Sequence, residues 1–209
     1  MSFKPIHLNI AAAAILILLI SGCGSSKTNF YVLTPIEKSS PLLDRKGTDH
    51  TLAIEISTLN LPAYLDRPQI VKHNSKNGLE LDQFNQWAGK LDQNIARVMV
   101  KNLAQLLATP EVSMPPHRRI FKPDFRLEVD ILKFEREVDD MVYLSAKWRI
   151  IDGDSTTVQA SHISEMNSQH LSSQGYNGTV EAMSHLIGEL SKQVAAEIIQ
   201  LMQKGRPNA

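Results

Sequence analysis

An α/β sandwich is the fold class this sequence predicts: a single domain with a mixed β-sheet and two principal amphipathic helices packed on it. Three observations lead there. Several short runs alternate apolar and polar residues, the period of half-buried strands. Two longer runs space apolar residues three and four apart, the period of a helix with one buried face. No internal repeat divides the 209 residues, a length that supports one real core. Helices with one apolar stripe and strands with one apolar face bury each other in layers.

The chain opens "MSFKPIHLNIAAAAILILLISGCGSS". Lys4 and the amino terminus form a positive region, and Ile10 to Ile20 an unbroken apolar run. That run is too short for a span of ~20 residues and fits a secretory signal. It closes in Ile20-Ser21-Gly22-Cys23, which resembles the bacterial lipobox, where a cysteine becomes the lipidated first residue of the mature chain. Cys23 is the one cysteine, so no disulfide framework exists, and a lone thiol in an exported chain needs another role. Lipidation would anchor the protein to a membrane, since each buried methylene contributes about 0.8 kcal/mol and two or more acyl chains hold stably. By the same resemblance, Gly24 after the cysteine points to the outer membrane.

Next, "FYVLTP" alternates Tyr31 and Leu33 against Phe30 and Val32 and stops at Pro35. "IEKSSPLLDRKGTDH" reads as a loop. In "TLAIEIST", Leu52, Ile54 and Ile56 oppose Ala53 and Glu55, a half-buried strand. "LNLPAYLD" turns the chain. Pro68 cannot donate to a ladder, so the strand in "RPQIVKH" begins at Gln69 or lies at a sheet edge. "SKNG" is a hairpin turn that returns the chain through "LELDQF". Ile95, Val98, Met99, Leu103, Leu106 and Leu107 define the first helix, closed by Thr109-Pro110. Phe125, Leu127, Val129 and Ile131 alternate against Arg126, Glu128 and Asp130. Two more strands flank an Asp152-Gly153-Asp154 turn. Val180, Met183, Ile187, Leu190, Val194, Ile198 and Leu201 share one face of the second helix, which Gly205 and Pro207 end. The chain thus divides into a signal at 1–22, a lipidated tether with a short strand at 23–50, the domain at 51–205 and a tail at 206–209.

Chemistry is hard to find. Lys plus Arg and Asp plus Glu number 22 each, and removal of the signal takes away Lys4 alone, so no field for nucleic acid arises. The chain has no G-x-S-x-G elbow, no H-E-x-x-H and no G-x-x-x-x-G-K-[ST] loop. His162 and Glu165, with His170 nearby, fall on opposite faces of a strand and make a poor metal set. Asp139-Asp140 reads as a solvated turn, His117-Arg118-Arg119 as an exposed basic loop and Trp148 as a core residue. Neither catalysis nor a metal is expected. The oddity is the stretch from Leu61 to Trp87, which holds more large apolar and aromatic residues than a solvent loop should. Tyr and Arg there are types that interfaces favour.

The lipobox, "FYVLTP", "LPAYLDRPQIV", "QWAGKLDQNIARVMVKNLAQLL" and "DFRLEVDILKFE" together resemble the PqiC-type, or ABC-type transport auxiliary lipoprotein, family over nearly the whole mature chain. The resemblance implies an α/β sandwich on the periplasmic side of a Gram-negative envelope. It implies work beside an MCE-domain tunnel protein that moves lipids or other apolar compounds between membranes, and a homo-oligomeric ring. Cys23 matches the lipid-attachment position, carrying N-acyl and S-diacylglyceryl groups and no other cofactor. Tyr64, Leu65, Arg67, Pro68, Gln69, Ile70 and Trp87 match the family's central motif and become candidates for a partner or subunit interface, with Arg67 free to pair. The expected role is a docking adaptor. The competing roles are a lipid carrier with a pocket of its own and, last, an envelope hydrolase.

Overall fold

The computed structural model describes residues 27–37, 40–43, 51–115, 122–168 and 175–204. The signal run, Cys23, His117-Arg118-Arg119, His170, Gly205 and Pro207 lie outside the described residues. Strands β1 (Asn29–Tyr31), β2 (Ile54–Asn60), β3 (Gln69–Ser75) and β4 (Gly78–Trp87) precede helix α1 (Leu91–Leu106). Then follow β5 (Val112–Ser113), β6 (Phe125–Arg136), β7 (Val142–Asp152), β8 (Val158–Asn167) and helix α2 (Gly175–Lys204). Among the described residues the strands form one mixed sheet of eight, and the two helices pack on a mixed sheet as the periodicities predict.

The sheet forks. One edge of the long β6 pairs antiparallel with β7, and β7 with β8. The other edge is shared: β2 runs parallel to β6 from Ile54↔Phe125 to Asn60↔Asp130, and β3 meets it at Lys72↔Arg136. β5 extends the β2 branch, while β4 and then β1 extend the β3 branch. Residues 60 to 72 therefore run opposite residues 130 to 136, twelve steps of chain set against six. The surplus is the "LPAYLDRP" segment, which loops out between the two branches.

Strand β3 does begin at Gln69, immediately after the proline. It lies between β4 and β6, however, so Pro68 shapes the entry to an interior strand and not a sheet edge. Its carbonyl still accepts from Trp87 N at 2.7 Å. β2 also departs from half-burial. Ala53 and Glu55 are as covered as the alternating Ile54 and Ile56, so both faces are closed there. β6 keeps its expected alternation through Ile131, then a bulge at Leu132 shifts the register. The extra residue leaves Leu132 exposed and turns Phe134 into the core, because one inserted residue exchanges the two faces.

The β7–β8 turn is longer than a two-residue Asp-Gly hairpin, since residues 153 to 157 separate the strands. Gly153 serves close approach instead: a Cβ there would stand 1.7 Å from the Pro123 carbonyl oxygen. Asp139 and Asp140 form the expected turn, with Asp139 accepting from Met141 N and Tyr143 Oη.

Helix α1 buries Ile95, Val98, Met99, Leu103 and Leu106, and α2 buries Val180, Met183, Ile187, Leu190, Val194 and Ile198, while Leu201 is half-buried. α1 packs on β2 and β5, α2 on β6, β7 and β8, and the helices pack on each other. Of "FYVLTP" only the first two residues lie in β1; the rest is a strap laid on the helix pair. Asn94 Oδ1 accepts from Leu33 N, Ser184 Oγ from Thr34 N and Asn102 Oδ1 from Ile36 N. Arg97 donates to Leu33 O, and Ile36 packs so near Gly188 that a Cβ there would lie 2.6 Å from its Cγ2.

Candidate functional site

The loop between the two branches is where the sequence candidates gather. Leu65 and Ile70 are buried, and Trp87, at the end of β4, is 3% exposed. These three nail the loop to the core. Leu65 N donates to Pro62 O and Arg67 N to Leu65 O, which tightens the chain into successive turns. Pro68 is exposed, and Gln69 and Tyr64 are half-buried. The candidates thus separate into three anchors and four residues that reach the surface.

Arg67 is half-buried, and its Nε is shut off from solvent with no hydrogen-bond partner. No ion pair to its guanidinium exists among the described residues. A buried donor left unmade costs about 1–3 kcal/mol, so this side chain is under-used in the isolated subunit.

Tyr64 faces the other way, onto the end of β6. Its hydroxyl donates to Glu135 Oε2 at 2.8 Å, and Phe134 N donates to the same oxygen at 2.9 Å. Burial first, then the bond to Glu135, holds the Tyr64 phenol well above the usual tyrosine range. Arg136 reaches Thr179 on α2, so Glu135, one residue earlier, points to the sheet face away from the helices. There it is covered by Tyr64 and is 2% exposed.

His73, on β3, places Nε2 3.4 Å from Glu135 Oε1 and 3.9 Å from Glu137 Oε1. Lys133 pairs with Glu137, and Lys133 Nζ also lies 4.8 Å from the Tyr143 ring centre. His73, Glu135 and Glu137 escaped the sequence reading because 62 or more positions separate the histidine from the acids. Only the β3–β6 pairing brings them together, and nothing in either segment announces it.

His162 and Glu165 do face opposite sides of β8: His162 Nε2 approaches Glu197 of α2 at 3.3 Å and its ring lies 4.6 Å from Trp148. Trp148 Nε1 donates to Ser164 Oγ, which donates to Gln193. This clasp ties β8 to α2. Beside β1, burial and then Asp82 raise the Tyr176 phenol above its ordinary range, while the Phe84 N–H holds the Asp82 carboxyl below its own.

A forked mixed sheet with two helices packed on it is a fold that solved structures share. An uncharacterized protein is similar at a TM-score of 0.67 and 18% identity, covering 83% of this chain and 99% of its own. A Xanthomonas campestris protein is similar at 0.67 and 13% identity, covering 84% of this chain and 98% of its own. PelC from Paraburkholderia phytofirmans, a dodecamer, is similar at 0.44 and 13% identity over 74% of this chain and 92% of its own. No curated protein matches the sequence.

Residues 31–195 match the family described as the ABC-type transport auxiliary lipoprotein component. The chain belongs to that family, and the PqiC-type resemblance of its motifs is thereby established.

Proposed function

We propose that this protein is an outer-membrane-anchored, periplasm-facing subunit of an MCE-type intermembrane transport system, where it docks the tunnel protein against the membrane. The family supplies the transport context. The loop at the fork supplies the surface, and its under-used Arg67 is the observation that carries the reading. Three buried anchors hold the loop in one shape before any partner arrives, so little ordering entropy is lost on docking. A guanidinium offers a planar fork to a carboxylate or phosphate, and the exposed Pro68 beside it keeps the backbone stiff.

In this reading Cys23 carries the acyl groups, several copies assemble into a ring, and the chain breaks no bonds. The core favours an adaptor over a carrier, because its helices bury one face each against the sheet and against each other.

Arg67→Ala tests it. Export stays intact, thermal stability does not fall because an unpaired buried donor is removed, and co-purification with an envelope MCE protein falls at least ~10-fold, the effect of losing a buried charged contact. Undiminished co-purification would remove Arg67 from the interface.

The carrier reading draws on one feature. A groove of about 620 Å³ runs between α1 and β5, with Ala96, Val100, Val112 and Met114 on its walls and Arg97 and Lys101 in its lining. That volume falls within the range of small-molecule sites. A photoreactive lipid crosslinked to Val100 or Met114 in the isolated subunit would favour it.

A further inference from the structure

We propose that His73, Glu135 and Glu137 form a binding site for a divalent transition-metal ion of the zinc type. One ligand atom from each residue lies within 4.8 Å of the other two. Nitrogen and carboxylate ligands sit ~2.0–2.2 Å from zinc, which puts neighbouring ligands of a tetrahedral ion about 3.4 Å apart. His73 Nε2 already stands 3.4 Å and 3.9 Å from the two carboxylate oxygens.

The imidazole is oriented for the task. His73 Nδ1 lies 3.3 Å from Ser75 O. A carbonyl only accepts, so this contact suits a hydrogen on Nδ1, and in the neutral ring that tautomer leaves the Nε2 lone pair toward Glu135 and Glu137. Metal-ligating histidines show this arrangement, with the far nitrogen bonded to a backbone carbonyl. Lone pair against carboxylate is unfavourable without something positive between them, either a metal ion or a second proton on the ring.

Glu135 is oriented too. Tyr64 and Phe134 N occupy its Oε2, which leaves Oε1 turned to His73. Lys133 is the neighbouring cation and pairs with Glu137, but its side chain is 36% exposed and can release that oxygen to solvent. One ammonium against two carboxylates leaves the cluster short of positive charge. A mixed nitrogen and oxygen set of this kind suits zinc better than calcium, which takes six to eight oxygens.

A bound ion would tie β3 to β6 directly beneath Tyr64 and so hold the loop that carries Arg67. The site stands on its own geometry and does not depend on the docking role.

The purified full chain is titrated with Zn2+ and, separately, Ca2+ in competition with a chromophoric chelator. One Zn2+ per chain is expected, with Ca2+ unable to displace it. His73→Ala and Glu137→Gln should each weaken it at least ~10-fold, while His185→Ala, at an exposed position on α2, leaves it unchanged. Zn2+ should also move the His73 Nε2 nitrogen resonance, a readout independent of stability. Binding that His73→Ala leaves intact, weak binding spread over several ions, or a doubly protonated His73 ring that Zn2+ does not disturb would each overturn the site.

Discussion

Ala108 occupies a position that normally belongs to glycine. After α1, Ala108 N bonds to Gln105 O and Thr109 N to Ala104 O, the paired bonds of a Schellman end. Ala108 takes φ of 49°, the left-handed region, which costs a residue with a Cβ roughly 1–2 kcal/mol. Glycine removes that cost but adds ~0.5–1 kcal/mol of unfolded-chain entropy. Ala108→Gly is therefore expected to stabilise the domain by up to about 1 kcal/mol, read as a higher urea midpoint with an unchanged slope. A second residue-scale prediction concerns acid. The Phe84 N–H, then Asn85, Tyr176 and Lys72, hold the Asp82 carboxyl below its ordinary 3.8. A depressed carboxyl contributes stability that is complete above its unfolded value and vanishes as the pH falls through the folded one. Asp82→Asn should cost less than about 1 kcal/mol at pH 7, solvent screening limiting it, and progressively less below pH 3.8. An equal penalty at pH 7 and pH 3 would show that the charge contributes nothing.

At the scale of elements, the strap shows how far a sequence can be read. Both helices were legible because their apolar residues repeat with the helical period, and the one read from Ile95 onward runs from Leu91 to Leu106. The strap was not, since its partners are polar residues on those same buried faces: Asn94, Asn102 and Ser184. A periodicity argument counts such residues as noise, whereas here they satisfy backbone donors that a wholly apolar groove would leave unpaired. The loop at the fork was legible as an anomaly, because Tyr64, Leu65 and Trp87 are too large and apolar for solvent. Its geometry was not, because the surplus of chain opposite β6 exists only once β2 and β3 share an edge. His73 and Glu135 were invisible for the same reason. Asn102 gives the element-scale test. It is fully buried, accepts from Ile36 N at 3.0 Å and donates to Ser191 Oγ at 3.1 Å. Asn102→Ala strands the Ile36 donor and should cost ~1–3 kcal/mol. Faster limited proteolysis between Val32 and Glu37 would locate the damage in the strap, and protection equal to the parent protein would show that the strap holds without Asn102.

At the scale of the molecule, the proposed lipid anchor constrains orientation. Asn29, at the start of β1, lies six positions after Cys23, and six extended steps reach at most about 20–22 Å. With acyl groups on Cys23, β1 cannot move farther than that from the membrane surface. The β1–β4 branch then becomes the membrane-proximal end, and its outward side chains suit the place: Phe30 is 64% exposed and Phe84 46%. The β7–β8 turn belongs to the opposite end, because it adjoins the start of β6 while the β3–β4–β1 branch joins β6 at its finish. The twelve residues of β6 place about 37 Å between those ends at roughly 3.2–3.4 Å per residue. A fluorophore at Phe84 should therefore be quenched by nitroxide-labelled headgroups in reconstituted bilayers, and one at Asp154 should not. Inserting a flexible ten-residue linker after Ser26 should abolish the difference between the two positions while leaving the thermal transition unchanged. Equal quenching at both sites before the insertion would show that the domain lies flat or tumbles on its tether, and a docking surface could then have no fixed bearing toward the second membrane.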